Sequence, residues 1–390
     1  MDIIAPPPPP RPLRHVAIDA RMIGHSGIGT AIRGLLSVWS RTPPPFDVTL
    51  AGPVGRIRAC MPEGLRANAV PFRLGIYDPR GMVNARMPTD GAEVLLCPHY
   101  TAPLGTRVPM AVMVQDLIHI THPTRRGTAL FMQAYLARLR RHARYIITPS
   151  RHTKVQLQTL YGFAPERVLT IPYGAGVATM RPEAEETAVA LPDEAWAREG
   201  NILAVGIHKP HKNWAFLLRR LAALWKDGAL EGRDLAAAGL DEAGREAIPA
   251  LARELGIADR VHVVPRLTDG EIAELYRRAR VLAFSSLAEG FGFPILEAMR
   301  VGTPVVCAGL APMSELAGGA ALLFDPDAPE SFDRALVEAC EDAGTRERLM
   351  EAGFAQAGRY SWGRAARQVE DVMRRTFEER GRALGEVLAV

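Results

Sequence analysis

No apolar run in this chain reaches the roughly 18 residues that a membrane-spanning helix needs, which excludes a helical integral membrane protein. Cysteine is scarce. Cys60, Cys97, Cys307 and Cys340 lie far apart, and no pair has the spacing of a metal site or a redox motif. A disulfide scaffold is excluded, and four reduced, mostly buried thiols are expected. No GK[ST] closes a glycine loop, so there is no P-loop. No GxGxxG is followed by an acidic residue about 20 positions on, which disfavours a nicotinamide-linked dehydrogenase. There is no short repeat of the solenoid kind. Aromatic residues make up only 6%. Neither a stacking pattern nor a recognised nucleic-acid module is present, so nucleic acid is not an expected partner. Lysine is rarest of the charged types: only Lys154, Lys209, Lys212 and Lys226 occur, and the other basic residues are arginine.

The 390 residues contain 48% hydrophobic and 23% charged types. That composition belongs to a globular chain of about two domains. The first residues, MDIIAPPPPPRPLRH, lack an apolar core of signal-peptide length, so 1–14 read as a disordered, proline-rich leader on a cytosolic protein. The net charge of +4 hides a division. Residues 1–173 hold 21 Lys+Arg against 9 Asp+Glu, a net of +12, and the remainder holds 26 against 34, a net of −8. Two bodies with different electrostatic roles are implied.

Short apolar runs alternate with helical patterns. HVAIDA (15–20), DVTLAG (47–52), EVLLCP (93–98), MAVMVQD (110–116) and RYIITPS (144–150) read as strands. Helical patterns cover 30–40 and 128–144. Residues 174–200 have no clear period and read as a linker. The alternation resumes with NILAVG (201–206), a helical 214–225, and strands at 233–239, 260–265, 281–286 and 303–309. Repeated strand–loop–helix units predict parallel sheets with helices on both faces. Two such lobes, 15–173 and 201–357, place a cleft at the carboxyl ends of two sheets, where open α/β sheets bind ligands.

Three segments carry chemistry. In SLAEGFGFPILEAMRVGTPVV (286–306), Glu289 and Glu297 stand eight positions apart around Gly290, Gly292 and Pro294. The reading is strand, tight turn, and a helix beginning near Pro294. The glycines permit close backbone approach, and the helix start suits a phosphate or diphosphate. The two glutamates then accept hydrogen bonds from hydroxyl-bearing groups on either side. The plainer reading is an ordinary strand–turn–helix with a capping and a surface glutamate. In AVGIHKPHKNW (204–214), Lys209 and Lys212 follow a strand and Asn213 is placed to cap the next helix. Ammonium groups there offset charge on a departing diphosphate; a solvated basic loop is the alternative. In MIGHSGIGTAIRG (22–34), Gly24, Gly27 and Gly29 form a flexible turn, able to close over an acceptor or phosphate or to be a plain turn.

In this order and in two lobes, these segments resemble family 4 retaining glycosyltransferases of the GT-B fold, from about His15 to about Phe377. IDARMI with SGIG resembles the family's first strand and glycine loop. RYIITPSRHTKVQL (144–157) and VLTIPYGAGV (168–177) resemble the end of its first lobe. GIHKPHKN resembles its lysine motif, RLTDGEIAELYRRARVLAFSSLAEGFGFPILEAM (266–299) its E-x7-E segment, and YSWGRAARQVEDVMRR (360–375) its terminal helix. The resemblance implies two Rossmann-like, doubly wound lobes with parallel sheets facing a central cleft, and a segment 358–390 crossing back to the first lobe. It implies a first lobe for the acceptor and a second for a nucleotide-diphosphate sugar, with no further cofactor and no obligatory metal. Lys212, with Lys209 or His211, would bind the diphosphate. Glu289 would contact the sugar hydroxyls and Glu297 the ribose. Gly290, Phe291, Gly292, Phe293 and Pro294 would line the diphosphate, with Gly27 and Gly29 opposite. Arg266 and Leu267 would stand at the base.

Two positions depart from the family pattern. Ile207 and His211 replace an Arg or Thr and an Arg around the lysine motif, which leaves one diphosphate contact missing or supplied by His211 or Lys209. Gln115-Asp116 replaces a His-Asp pair. A neutral amide cannot take up a proton as imidazole does, so Gln115 is assigned a sugar hydroxyl, and Asp116 or His119 an orienting or basic role at the acceptor. His119 and His122 also read as plain surface histidines. The helix 128–144, with Arg125 and Arg126 before it and Arg138, Arg140, Arg141 and Arg144 along it, is a candidate surface for an anionic membrane or a lipid-linked acceptor, or a solvated face. The expectation is a cytoplasmic, peripheral enzyme that moves a hexose from GDP-mannose or a UDP-hexose to a glycan or glycolipid hydroxyl in envelope polysaccharide assembly. The competing expectation is a nucleotide-sugar-binding protein without transferase activity.

Overall fold

Strands of valine, leucine, isoleucine and alanine, each too apolar to face water, assemble here into two parallel sheets. The computed structural model describes residues 11–83, 85–123, 127–175 and 189–388. The first sheet holds β1 (His15–Asp19), β2 (Asp47–Gly52), β3 (Asn68–Pro71), β4 (Val94–Cys97), β5 (Met110–Met113), β6 (Ala143–Thr148) and β7 (Val168–Thr170), in the order β3-β2-β1-β4-β5-β6-β7. The second holds β8 (Ile202–Val205), β9 (Leu235–Ala238), β10 (Val261–Val263), β11 (Val281–Phe284), β12 (Val305–Ala308) and β13 (Leu322–Phe324), in the order β10-β9-β8-β11-β12-β13. Ile18 of β1 registers with Leu50 on one side and Leu96 on the other. Along β1, Val16 and Ile18 join one apolar cluster while Ala17 joins another, so both sheet faces are covered. The winding reverses between β1 and β4, and again between β8 and β11. Each reversal opens a crevice at the strands' carboxyl ends.

The long helix Trp362–Leu388 leaves the second lobe and packs on the helix Ser26–Trp39 and on β4, β5 and β6 of the first. Trp39 Nε1 donates to Glu370 at 2.7 Å. At the lobe boundary Tyr173 packs on both Phe293 and Trp362, with ring centroids 5.7 and 5.4 Å away, and those two rings lie 6.1 Å from each other. Glu315 of the second lobe accepts from the main-chain N–H groups of Arg151 (2.9 Å) and His152 (3.3 Å), which begin a first-lobe helix, Arg151–Tyr161. A carboxylate at a helix start completes amides that lack intrahelical partners.

Several sequence expectations need correction. The flexible glycine turn ends at His25. Gly27 and Gly29 lie in the first turn of Ser26–Trp39, and the Gly29 N–H donates to the His25 carbonyl at 2.8 Å. Burial of Ile32, Leu35, Leu36 and Trp39 overrides the poor helix propensity of glycine. The helix read over 128–144 is Thr128–His142, because Ala143 and Arg144 already pair in β6. Strands β3, β7 and β13 were not expected; each is an edge strand of only three or four residues, too short to show a pattern. Of the expected leader, residues 1–10 lie outside the described residues, but Leu13 is buried and Arg11 pairs with Glu93 at 2.6 Å. Of the expected linker, 176–188 lie outside them, and the short turn Ala195–Ala197 buries Trp196. Arg125 and Arg126 also lie outside them. Among the described residues no helix is long and apolar enough to cross a membrane.

Candidate functional site

Two turns of the second lobe meet at its reversal point. The chain leaving β8 forms the turn Pro210–Lys212, and the chain leaving β11 forms the turn that ends at the helix Phe293–Arg300. They are joined by hydrogen bonds. The Leu287 N–H and the Ser286 hydroxyl donate to the His211 carbonyl at 2.7 and 3.2 Å, and the Ser285 hydroxyl donates to that of Lys212 at 3.0 Å. This brings Lys212 Nζ to 2.5 Å from Glu289 Oε1, with side chains only 15% and 11% exposed. Lys212 Nζ also lies 5.5 Å from the centre of the Phe284 ring.

The helix starts one residue before Pro294, at Phe293, with Gly292 as its cap. Gly292 has φ +105°, a region that L side chains rarely adopt. The helix start thus follows the Glu289 turn within four residues, close in sequence to the ion pair, and Pro294 brings no N–H that would need a partner. One turn further on, Glu297 Oε2 accepts from the Tyr276 hydroxyl at 2.8 Å. Burial pushes the Glu297 carboxyl up to about 7, against the pull of that hydrogen bond.

The first lobe touches this turn directly. A Cβ on Gly290 would come within 2.4 Å of the Gln115 carbonyl oxygen and 3.0 Å of the Asp116 Cβ. Burial raises the Asp116 carboxyl. The Ile118 N–H, which donates to it at 2.9 Å, works the other way, as does the charge of His119. The nearby Glu289 carboxylate adds to the rise. His119 is exposed, with Nε2 3.2 Å from the Tyr77 hydroxyl. Gln115 braces the site: its Nε2 donates to the Pro98 carbonyl at 3.0 Å and its Oε1 accepts from Tyr173 at 2.8 Å.

Other expected residues separate. Lys209 is exposed, and its charge acts on Asp241 away from the ion pair. Burial, with Lys212 next in effect, holds His211 down to about 4, so it is neutral at pH 7 and brings no positive charge. Asn213 occupies the cap position of the helix Trp214–Lys226, but its side chain makes no capping bond because the residue is left-handed, with φ +58°. The Phe291 side chain is buried against Tyr173, Phe293 and Tyr360, so only its backbone borders the turn. Gly27 faces the Phe293 ring, whereas Gly29 packs on the Met22 and Ile23 carbonyls. Arg266 is exposed, and Leu267 is half-buried on the second lobe's core.

A buried charge cluster at the first lobe's reversal point was not anticipated. Asp19 ends β1 fully buried. Arg21 meets it through Nε at 2.9 Å and Nη2 at 2.6 Å, and His99 Nε2 stands 3.0 Å from Oδ2. Burial resists the Asp19 charge, but His99 and Arg21 outweigh it and hold the carboxyl well below the usual range. An aspartate inside the apolar run HVAIDA was the available signal. Tyr173 left no comparable trace, because its ring partners Phe291, Phe293 and Trp362 lie more than a hundred residues away and Gln115 nearly sixty.

Residues 194–356 match the family of glycosyl transferases group 1. The match falls on the second lobe and leaves the first lobe uncovered. O-antigen chain mannosyltransferase B of Escherichia coli is 26% identical over 220 residues, covering 56% of this chain and 58% of the relative. A D-inositol 3-phosphate glycosyltransferase of Kineococcus radiotolerans is 30% identical over 250 residues, covering 59% and 57%. The chain thus spans less than three fifths of the length of these relatives. Sucrose-phosphate synthase from Thermosynechococcus elongatus aligns at a TM-score of 0.69 and 17% identity over 93% of this chain and 99% of that one. HepE of Anabaena, solved with UDP and glucose, aligns at 0.68 and 17% over the same shares. The two lobes have the GT-B fold.

Gly290→Ala should drive the Glu289 turn off the Gln115 carbonyl at a cost of about 1–3 kcal/mol. The expected result is a larger radius of gyration by small-angle scattering and a lower unfolding midpoint. Values equal to those of the parent would remove this contact from the account. Asp19 predicts acid lability. Its folded-state carboxyl titrates below its unfolded one, so its contribution is complete above the ordinary aspartate value of about 3.9 and falls as pH drops below that. Asp19→Asn should cost about 3 kcal/mol at pH 7 and flatten the acid limb, as read from urea unfolding between pH 7 and pH 3.

Proposed function

We propose that this chain is a retaining, family 4 type glycosyltransferase. It moves a hexose from a nucleotide-diphosphate sugar, GDP-mannose or a UDP-hexose, to a hydroxyl of a glycan or glycolipid in envelope polysaccharide assembly. The observation that carries the reading is the Lys212–Glu289 pair at 2.5 Å, set beside the first turn of Phe293–Arg300. The matched family, the mannosyltransferase relative and the UDP-bound neighbour support it.

The diphosphate lies on the helix-start amides, where the dipole favours anions. Lys212 turns from Glu289 toward the phosphate that becomes the leaving group, and its ammonium offsets the charge that grows there. Glu289, released from that partner, accepts from the sugar hydroxyls, and Glu297 from the ribose. From the other lobe Asp116 and His119 orient the acceptor. The bond between the anomeric carbon and the phosphate oxygen breaks, and the new carbon–oxygen bond forms on the same face. The acceptor's proton passes to the leaving phosphate oxygen, so no protein nucleophile is needed.

A thermal-shift screen of nucleotide sugars identifies the donor through ligand-dependent stabilisation. With that donor, Lys212→Ala and Glu289→Ala should each lower turnover by about a hundredfold or more and leave the fold intact by circular dichroism. Near-parental turnover in either variant defeats the assignment. Donor binding without turnover over a broad acceptor panel favours a nucleotide-sugar-binding protein instead. Glu297 predicts a pH dependence. Ribose hydroxyls favour its ionised form, so binding releases a proton and donor affinity rises with pH until it levels off above about 7. Calorimetry in two buffers of different ionisation enthalpy checks the proton, and Glu297→Gln should abolish the trend.

A further inference from the structure

We propose that a groove at the far edge of the first lobe binds a phosphate- or diphosphate-bearing group, separately from the interlobe site. The groove encloses about 510 Å³ between the loop before β5, the end of the helix Thr128–His142, the start of β6 and Arg167. It lies at the amino ends of β5 and β6, whereas Asp116 follows the carboxyl end of β5. The cleft and the groove are therefore on opposite edges of the same sheet.

Four guanidinium groups line the groove: Arg107, Arg141, Arg144 and Arg167. Arg167 Nε donates to the Arg144 carbonyl at 3.0 Å and its Nη2 to the Ala143 carbonyl. Those carbonyls orient the guanidinium without neutralising it. None of the four pairs with a carboxylate among the described residues. The one acid in the wall, Glu379, accepts from the Tyr145 hydroxyl. Four cations against one anion leave three uncompensated positive charges. Guanidinium forks match phosphate oxygens in pairs, and a multiply charged anion relieves their mutual repulsion.

The adjoining helix argues for a recessed headgroup site rather than a bilayer-resting face. Met132, Tyr135, Leu136 and Leu139 are buried in the lobe's core, so these apolar residues are not available to enter a membrane. The exposed Leu130 stands in the first turn, at the other end of the helix, and what borders the groove is the basic last turn. The shared chemistry is a phosphate group, whether on a small metabolite or on a lipid.

The test uses the full chain with Lys212→Ala, which weakens diphosphate binding in the cleft, and adds Arg141→Glu and Arg144→Glu, both at exposed positions. Inorganic pyrophosphate is titrated by calorimetry. Co-sedimentation compares phosphatidylglycerol with phosphatidylcholine vesicles. Salt-sensitive pyrophosphate binding that survives Lys212→Ala and weakens roughly tenfold or more on charge reversal supports the site with a small ligand. Selective sedimentation with phosphatidylglycerol, lost on charge reversal, supports it with a lipid headgroup. Binding of neither probe, or binding unchanged by Arg141→Glu/Arg144→Glu, overturns it.

Discussion

The contact between the Lys212 ammonium and the Glu289 carboxylate is the constraint around which this molecule is arranged. Each charge is largely withdrawn from water, which is costly unless a partner stands close and in good geometry. Neither residue could hold that geometry alone. Their turns share a carbonyl as hydrogen-bond acceptor, and a glycine in a left-handed conformation fixes where the next helix begins. A closely paired acid and base at a helix start form a site that is already desolvated and already oriented.

The second requirement is that this turn abut the other lobe. Gly290 lies on the Gln115 backbone, and Tyr173 ties the Gln115 side chain to an aromatic stack that runs through Phe293 to Trp362. The helix start, the Gln115 loop and the returning terminal helix are thus held in one register. Gln115 ties two first-lobe segments together through both ends of its amide, donating to Pro98 and accepting from Tyr173.

The division between what the sequence displays and what it conceals follows chain distance. Glu289, Gly290, Gly292 and Glu297 lie within nine residues, so local spacing already declares a turn and a helix with acids on both sides. Strands such as β4, β5 and β11 announce themselves because they are buried on two faces and wholly apolar. β3, β7 and β13, at sheet edges, lack that pressure and pass unnoticed. The glycines before Ser26–Trp39 read as a loop because propensity is local, while the packing that makes them helical is not. His211 seemed a cation until burial beside Lys212 removed its charge. Asp19 and Arg21 are two positions apart, but His99 joins them from a strand eighty residues later. Proximity of that kind arises only from the strand order.

The terminal helix that returns to cover β4, β5 and β6 has a bearing on how the chain is made. Residues through β7 leave the ribosome well before Trp362, with roughly 200 residues still to be translated, or about 10–40 s at ordinary elongation speeds. During that interval the nascent first lobe has its strands but not the segment that seals one of their faces. The first lobe is therefore completed only after the second lobe has been made, and a chaperone has its longest opportunity on that unsealed face.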